Sequence, residues 1–478
     1  MGRMRLARPK NEREPQMNAD ERRSDHLSAS ICVNQRFHLR GTSRRSRLIH
    51  LLWAGAGREE KERAGRTTAS ARRIGMTFPR PLLLVGAGAL ACWGIGAPLV
   101  GSPRASSGPD PPRMPDARGV PIGTGLLAPP PQRSLVMASD GSLVLLYAYH
   151  EKDSLRLRTS PDAGRTWQKE LLVAEGAFRC SHSSWGQRTN CEIATDGGNN
   201  VYVVYRVRGT QPRLRRLTRT HGTTWELAEE VAIPRQGKGD LGLLSVCADR
   251  EDRVWVVYGS EEGLQTRSTA DGGKNWSEER GIPGTRSGVP QLFTWQGRPA
   301  CMVGTRSGLV WSTFDGKAWS APEPVAGAGE LVLYFYFPPA ATERTLVAGY
   351  CGWGWLHRFM GVEPKLVFRQ GDKSWSRPET AHGFQTLDLV AAEDGVVAVG
   401  VKDGSIVART FDGRAWGPEK TLLRISAAYQ APGDPTTYVT RLAVPGRIRG
   451  NTLPVVVQCF ERLYCHRFDL AKGEEENP

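Results

Sequence analysis

The sequence is poor in the residues that hold metals and redox centres. Its 478 residues include 9 cysteines and 9 histidines, with no Cys-x-x-Cys pair and no cluster of histidines. Zinc sites need such closely spaced thiolate and imidazole ligands. The sequence therefore gives no support for a zinc site, and we expect the protein to work without a metal or another cofactor.

Acidic residues are also fewer than basic ones, but most of the difference lies in the first 75 residues. Lys and Arg number 64 against 49 Asp and Glu, which gives a net charge of +15. Residues 1–75 alone hold 18 Lys and Arg and 8 Asp and Glu, so the rest of the chain is only weakly basic. Nucleic-acid-binding proteins carry their excess charge on a folded surface. We therefore expect no nucleic-acid partner.

The first 75 residues show neither a helical nor a strand pattern. They are interpreted as a disordered segment, or as an upstream extension of a chain that starts at Met76. From Met76 the sequence reads MTFPRPLLLVGAGALACWGIGAPLVG, in which a basic residue precedes an apolar run and small residues. This is the layout of an export signal. Residues 76–101 are therefore predicted to be a signal peptide or an N-terminal membrane anchor.

This leader predicts where the protein resides. Lipidation at Cys92 is a further alternative to simple cleavage, and we expect the mature chain to begin between Cys92 and Gly108. Residues 102–132 are rich in Pro, Ser and Gly and are predicted to form a tether. The protein is expected to be secreted, periplasmic or held at the cell envelope, and to be a monomer. It would contact a membrane only through an uncleaved or lipidated leader.

Five of the seven cysteines that follow Cys92 fall into two groups. Cys180 and Cys191 lie close together in one predicted loop and are candidates for a disulfide in an oxidising compartment. Cys247, Cys301 and Cys351 lie in or beside apolar strand patterns, where a buried free thiol is the commoner state.

A repeated phrase that ends in tryptophan dominates residues 133–470. Six copies, such as SPDAGRTW and TADGGKNW, recur at spacings of 41 to 58 residues. Their tryptophans are Trp167, Trp225, Trp276, Trp319, Trp375 and Trp416. Each phrase follows three strand-like runs, and the first copy also shows a fourth run after its turn. A four-stranded unit of ~40–50 residues is the blade of a β-propeller.

The end of the chain predicts how the ring closes. Three further strand patterns follow Trp416 without a fourth strand or another tryptophan phrase. Residues 119–127 (Gly119–Leu127) could supply the missing outer strand of this last set. The sequence therefore predicts an all-β propeller of seven four-stranded blades, with six as the alternative, closed by an N-terminal strand. Residues 471–478 are expected to be a disordered tail.

The tryptophan phrase resembles the Asp-box, or BNR repeat, of sialidases and related propellers, which reads Ser/Thr-x-Asp-x-Gly-x-Thr-Trp. The first copy matches it at every position, and the third differs only by an Asn. The matching residues are Ser160, Asp162, Gly164, Thr166 and Trp167, followed by Thr269, Asp271, Gly273 and Trp276. The Asp and Thr side chains can bond the turn's own backbone, and the tryptophan is expected to pack between blades. The resemblance implies a structural role, on the face opposite the active site.

The resemblance to sialidases also implies a set of site residues. A retaining sialidase uses three arginines to bind the substrate carboxylate, a tyrosine nucleophile with a glutamate, and an aspartate acid/base. By position, the arginines would be Arg133, Arg306 and Arg441. Tyr438 would be the nucleophile, Glu262 its activating partner and Asp153 the acid/base. The sequence departs from the sialidase pattern in three ways. It predicts seven blades where sialidases have six, Arg133 begins Arg-Ser-Leu where the family has Arg-Ile-Pro, and Tyr438 begins Tyr-Val where the family has Tyr-Ser.

Long connecting segments that carry aromatic residues indicate a binding role on the face opposite the tryptophan turns. Arg179, His182 and Trp185 share one link between blades, and Trp355 lies in another irregular turn. Exposed aromatic rings with charged neighbours suit sugar-like ligands. We therefore expect a propeller that binds glycans or a cell-surface ligand without strict sialidase activity. The alternatives are an exo-sialidase or related glycoside hydrolase, and an envelope protein with no small ligand.

Overall fold

The computed structural model describes residues 119–128, 131–149, 154–175, 191–207, 211–222, 224–236, 244–286, 288–326, 332, 336–351, 363–425, 439–459 and 462–476. The upstream extension, the leader and most of the tether lie outside these ranges and stay predictions. Within the ranges all regular structure is strand. No helix long and apolar enough to span a membrane occurs among them.

The described residues form thirty strands. In chain order these are β1 Val120–Thr124, β2 Leu135–Met137, β3 Leu143–Tyr149, β4 Ser154–Ser160, β5 Leu171–Glu175, β6 Cys191–Thr195, β7 Val201–Tyr205, β8 Arg213–His221, β9 Thr224–Leu227, β10 Val231–Ala232, β11 Ser245–Ala248, β12 Val254–Ser260, β13 Gly263–Thr269, β14 Arg280–Gly281, β15 Val289–Trp295, β16 Arg298–Thr305, β17 Gly308–Thr313, β18 Glu323–Ala326, β19 Tyr336–Ala341, β20 Thr345–Tyr350, β21 Lys365–Gln370, β22 Glu379–Thr380, β23 Phe384–Ala392, β24 Gly395–Lys402, β25 Ser405–Phe411, β26 Lys420–Arg424, β27 Val439–Ala443, β28 Thr452–Cys459, β29 Arg462–Asp469 and β30 Glu474–Glu475.

These strands form seven antiparallel sheets, which are the blades of a β-propeller. Blades 1 to 6 use consecutive strands: β2–β5, β6–β10, β11–β14, β15–β18, β19–β22 and β23–β26, with β9 as an extra partner of β8 in blade 2. Blade 7 has the order β27-β28-β29-β1. The predicted seven blades and the closing N-terminal strand are thus confirmed, and the six-blade alternative is wrong. The first strands of successive blades contact one another, so they surround the central channel.

The middle strands are apolar on both faces because each blade packs against a neighbour on either side. All five residues of β7, VYVVY, are buried, and β-branched and aromatic side chains fit such a surface well. One hydrophobic cluster fills each of the seven contacts between neighbouring blades. The core is therefore a ring of seven interfaces rather than one centre.

The tryptophans lie in these interfaces, each against the preceding blade. Trp225 and Trp319 are 4 % and 5 % exposed. Trp167 packs at the contact between blades 7 and 1, but it is only partly buried. The contact between blades 6 and 7 has no such tryptophan, and Phe468 is fully buried there instead. The amount of core that a tryptophan provides therefore varies from blade to blade.

Side chains within the tryptophan turns hydrogen bond to the turns themselves. In the first turn, the Thr166 main-chain N–H donates to Asp162 Oδ1 at 2.8 Å, and the Thr166 hydroxyl donates to Asp162 Oδ2 at 2.7 Å. The Gly164 N–H donates to Ser160 Oγ at 2.7 Å, and its φ of +99° favours glycine. The third turn repeats these bonds. There the main-chain N–H and side chain of Asn275 lower the pKa of Asp271 to about 2.

Residues 119–128, here called the closing segment, join blade 7 to blade 1. Strand β1 pairs with the outer edge of β29 in blade 7. Leu126 then exchanges two main-chain hydrogen bonds with Ala148 of blade 1, at 2.8 and 3.0 Å. Leu127, the next residue, is bonded to blade 7. Its N–H donates to Gln458 Oε1 at 2.8 Å, and its carbonyl oxygen accepts from Arg441 Nη1 at 2.8 Å.

The chain end also pairs with blade 7. Residues 471–476 are not the disordered stretch that the sequence predicts, because β30 lies beside β29 with Glu475 opposite Phe468. The Glu475 carboxylate contacts Nδ1 of the buried His466 at 2.7 Å. The outer edge of β29 is thus shared by both ends of the propeller chain, which leaves less of that edge open to other chains.

Candidate functional site

The inner edges of the seven first strands face the central channel. Each first strand ends at the turn to the second strand, and antiparallel pairing places these turns on the same face as the tryptophan turns; this is called the turn face. The opposite face, called the link face, carries the turns between second and third strands and the links between blades. Polar residues interrupt several of these first strands, and Arg133 lies two residues before β2. Their positions are Arg133, Glu192, Ser245, Gln291, Asp388 and Arg441.

Glu192 connects the inner strands of blades 1 to 4. Its Oε1 accepts from the Arg133 N–H at 3.1 Å and from the Gln291 side chain, and its Oε2 accepts from the Val246 N–H at 3.1 Å. Inner-edge N–H groups have no further strand to bond, so side chains such as Glu192 satisfy them. Ser245 Oγ does the same for Leu292 of blade 4 at 2.7 Å.

Arg133 crosses the channel from blade 1. Its Nη2 donates to Pro339 O of blade 5 at 2.5 Å. A side chain on Gly446 of blade 7 would lie 3.2 Å from its guanidinium carbon. The Asp388 carboxylate of blade 6 accepts from the Val444 N–H of blade 7 at 3.3 Å. Together with Glu192, these contacts join the inner strands of all seven blades in one polar group, here called the channel cluster.

The channel cluster has perturbed ionisation. Burial raises the pKa of Glu192 to about 7, against the opposing effect of its hydrogen bonds. Burial also raises the pKa of Asp388 to about 6, with Arg133 acting in the opposite direction. Burial lowers the pKa of Arg133, while Asp388 and Glu192 oppose that change. Strongly shifted carboxyl groups with a named charge partner are typical of functional sites.

Several buried polar atoms in and beside the cluster have no hydrogen-bond partner among the described residues. They are Arg133 Nη1, Gln291 Oε1 and Thr386 Oγ1, together with Nε2 and Oε1 of Gln132, which directly precedes Arg133 in the chain. Gln132 and Gln291 are 4 % and 1 % exposed, and Thr386 lies two residues before Asp388 on β23, on the same side of the strand. Native proteins rarely bury polar atoms without partners, so such a group calls for a bound polar molecule or water.

The raised pKa of Glu192 predicts a pH-dependent stability. Between its unfolded value of 4.5 and about 7, the folded state binds more protons at this site than the unfolded state does. The stabilisation from the neutral carboxyl is therefore complete below about pH 4.5 and is lost as pH rises through 7. The groups that face Glu192 are the Arg133 and Val246 N–H, the Arg133 guanidinium, the Gln291 and Ser245 side chains, and two nearby buried thiols, Cys247 and Cys301.

The test compares urea unfolding of the wild type and Glu192→Gln between pH 4.5 and 8. Subtracting the variant removes the contribution of every other titrating group. We expect the wild-type advantage to shrink by up to about 3 kcal/mol across this range. A difference that stays constant with pH would show that Glu192 remains ionised throughout.

The structure places four of the residues implied by the sialidase resemblance, in different settings. Arg133 belongs to the channel cluster, whereas Arg441 donates to the closing segment. Arg306 and Glu262 are exposed on turns of the link face in blades 4 and 3. Within the described residues, the three arginines therefore occupy separate settings. The remaining predicted residues, Asp153, Tyr438, Arg179, His182, Trp185, Trp355 and Cys180, lie outside the described residues, so their roles and the Cys180–Cys191 disulfide stay predictions.

Sequence reasoning missed Glu192, Gln291 and Asp388. Each interrupts an apolar strand with one polar residue, as in CEIAT, VPQLFTW and TLDLVAA. That pattern is ambiguous, because one polar residue in an apolar strand does not say whether its side chain meets polar groups of other blades. Among the described residues, no three His, Cys, Asp or Glu side chains gather as a metal site would require.

Tyrosine–glutamate pairs do occur, but within the blade contacts. The Tyr147 hydroxyl donates to Glu170, and the same arrangement recurs at Tyr205 with Glu230 and at Tyr258 with Glu279. Burial raises the pKa of Tyr205 and of Tyr258. Tyr147, Tyr205 and Tyr258 lie on second strands, in the hydrophobic clusters between blades, so these pairs are structural contacts.

No family model matches the sequence, and neither does any curated protein sequence. Among solved structures, an ulvan lyase described as a polysaccharide lyase of a new family has a TM-score of 0.52 at 10% identity, covering 75% of this chain and 96% of the lyase. The SapL1 lectin in complex with α-methyl fucoside gives 0.41 at 12% identity, covering 63% of this chain and 99% of the lectin. The Hadza microbial sialidase gives 0.38 at 13% identity, covering 72% and 66%. At these identities the similarity to the lyase concerns the fold alone.

Proposed function

We propose that this chain is an exported, Asp-box-type propeller that binds a glycan at the link-face mouth of its central channel. It does so without a metal or cofactor and without strict sialidase activity. The leader at residues 76–101 supports export. The sequence predicts that the link residues Arg179, Trp185 and Trp355, which lie outside the described residues, contribute to the same face.

One observation carries this proposal: the unpartnered buried polar atoms of the channel cluster. Arg133 Nη1 is a donor and Gln291 Oε1 an acceptor, and the amide of Gln132, the residue before Arg133 in the chain, offers both. A sugar hydroxyl both donates and accepts, so a ring with several hydroxyls can satisfy such a mixed set. A few precisely placed polar groups in a concave site are also what orients small ligands in proteins. Water alone is the other occupant, and binding experiments distinguish the two.

Gln132→Met is the sharpest test, because the variant keeps the length of the side chain and removes only its polar atoms. The Gln132 amide has no hydrogen-bond partner among the described residues, so we expect the free energy of unfolding to stay unchanged or to rise by up to about 1 kcal/mol. Glycan binding, found first on an array and then measured by titration calorimetry, should fall at least about tenfold.

Gln458→Met is the matched control. Gln458 is as buried as Gln132, at 4 % exposure, but its amide oxygen accepts the Leu127 N–H. This variant leaves a buried N–H unpaired and should lose about 1–3 kcal/mol of stability, with glycan affinity retained in the folded fraction. Equal destabilisation by both variants, with unchanged binding, would mean that Gln132 is merely structural.

A glycoside hydrolase of the sialidase-like type is the second candidate. It is favoured by one observation, that two carboxyl groups with raised pKa flank Arg133 in the channel cluster. A carboxyl group with a pKa near 7 is suited to general acid catalysis. Release of the fluorophore from methylumbelliferyl sialosides and neutral glycosides, lost in Glu192→Gln, would establish this activity. No turnover of any of them would leave binding as the function.

A further inference from the structure

We infer that Gly446 of blade 7 is a positioning residue of the channel site, because its lack of a side chain lets the Arg133 guanidinium lie against it. Gly446 acts on the ligand only through Arg133, so its role rests on the proposed function. Two features carry this role: the backbone of Gly446 is firmly held, and its open side faces the guanidinium.

The turn between β27 and β28 is the longest that joins a first strand to a second strand in the propeller. It contains residues 444–451, eight in all, whereas the six other such turns contain two to five residues. Part of it pairs with the inner edge of β23 in blade 6. The Ala391 N–H donates to Gly446 O at 3.1 Å, and the Ile448 N–H donates to Ala391 O at 2.8 Å. Because the inner edges of the first strands face the central channel, this part of the turn lies inside the channel.

The backbone around Gly446 has little freedom to move. Besides the two bonds to Ala391, the Val444 N–H donates to Asp388 Oδ2 at 3.3 Å. Val444 and Ile448, which lie on either side of Gly446, are each 1 % exposed. A side chain that packs against Gly446 must therefore adjust to this backbone, because the backbone is held from both sides.

Gly446 meets the face of the Arg133 guanidinium. A Cβ built on Gly446 would lie 3.2 Å from Cζ and Nε of Arg133 and 3.4 Å from Nη1. Cζ is as near as the nitrogens, so the added carbon would lie over the planar group rather than beside its N–H edges. These distances are shorter than ordinary carbon contacts of about 3.5–4.0 Å, so any side chain here would displace the guanidinium by a few tenths of an ångström. The φ of Gly446 is not positive, so the backbone itself does not require glycine.

Two contacts in different directions fix the guanidinium. Pro339 O of blade 5 accepts from Arg133 Nη2 at 2.5 Å, which sets the group within its own plane, and Gly446 limits it across that plane. Arg133 Nη1 has no partner among the described residues and is the donor that the proposed function assigns to a glycan. Hydrogen bonds weaken steeply as their angle bends. Displacing the guanidinium should therefore weaken binding although no ligand contact is removed.

Titration calorimetry of the exported full chain with lactose, α-methyl fucoside and sialyllactose measures this effect. Gly446→Ala should raise the Kd of each sugar that the wild type binds by at least about fivefold. The midpoint of urea unfolding should stay unchanged or rise slightly, since alanine restricts the unfolded chain more than glycine does. Loss of binding together with a clear fall of this midpoint would overturn the inference, because it would show a general loss of structure.

A double-mutant cycle tests whether Gly446 acts through the guanidinium. Arg133→Lys keeps the positive charge but ends in a single nitrogen on a flexible chain, which can avoid an added methyl group. In that background Gly446→Ala should change Kd by less than about twofold. An equal loss of affinity with lysine and with arginine at position 133 would overturn the inference.

A crystal structure of Gly446→Ala gives a second reading that needs no ligand. We expect the turn at residues 444–451 to stay in place and the Arg133 guanidinium to shift or to turn away from Pro339 O. A guanidinium that keeps its place while the turn moves would contradict the positioning role.

Gly198→Ala is the matched control. Gly198 lies in the corresponding turn of blade 2, and its φ is not positive either. Its added Cβ would lie 3.5 Å from the nearest atoms, on Asn200 and Asp196, which is an ordinary contact, so sugar binding should stay as in the wild type. Wild-type affinity in Gly446→Ala would overturn the positioning role but leave glycan binding standing. No binding of any of the three sugars by the wild type would overturn the proposed function itself, and the role of Gly446 with it.

Discussion

Trp319→Ala is expected to lower the free energy of unfolding by about 3–5 kcal/mol. Trp319 is 5 % exposed and fills the contact between blades 3 and 4. Its Nε1 donates to Thr266 Oγ1 of blade 3 at 2.8 Å, and its ring meets Trp255 edge-on with centroids 6.2 Å apart. Truncation therefore removes apolar contacts and a buried hydrogen bond together.

Chemical denaturation followed by circular dichroism measures this loss, and Trp416→Ala is the matched control. Trp416 holds the equivalent place in the blade 6 phrase, but it is only partly buried and its Nε1 has no hydrogen-bond partner among the described residues. Trp416→Ala should therefore lower the free energy of unfolding clearly less than Trp319→Ala does. Equal losses would show that position in the repeat, rather than burial and the Thr266 bond, sets the contribution of each tryptophan.

Gly125→Val is expected to open the ring of blades at the contact between blades 7 and 1. The free energy of unfolding should fall by about 3 kcal/mol or more. A Cβ on Gly125 would lie 2.3 Å from Tyr147 Cδ2 and 3.1 Å from Ala148 O. The Tyr147 ring cannot move away easily, because it is 1 % exposed and its hydroxyl donates to Glu170. The closing segment would have to lift instead, which breaks the Leu126–Ala148 pairing.

Hydrogen exchange of the β1 and β29 amides, with a melting curve, detects this opening. Gly281→Ala is the control, since the nearest atom to its added Cβ is the flexible Gln265 amide at 3.3 Å, and it should be nearly neutral. Fast exchange confined to β1 and its partner strand is the expected pattern for Gly125→Val. A uniform loss of protection over all seven blades would instead mean that the ring unfolds as one unit.

The repeat could be recognised from the sequence because its signals are local. In such a turn the hydrogen-bonding residue, Asp162, and the residue with positive φ, Gly164, are near neighbours in the sequence. The strands beside the turn need long apolar runs, which are also visible in the sequence. The blade count and the closing strand follow from counting these units and noting that the last set lacks an outer strand. The tail at residues 471–476 escaped notice because β30 is only two residues long and is held by pairing with β29 rather than by its own composition.

The sequence by itself therefore determined the strands, their grouping into blades and the strand that closes the ring, since each depends on neighbours along the chain. Only the tertiary structure decided the channel cluster. Arg133, Glu192 and Asp388 are 59 or more residues apart, and each looks like an isolated polar interruption until seven blades bring their inner edges around one axis. The raised pKa values and the unpartnered amides arise from that shared burial, which no local pattern encodes.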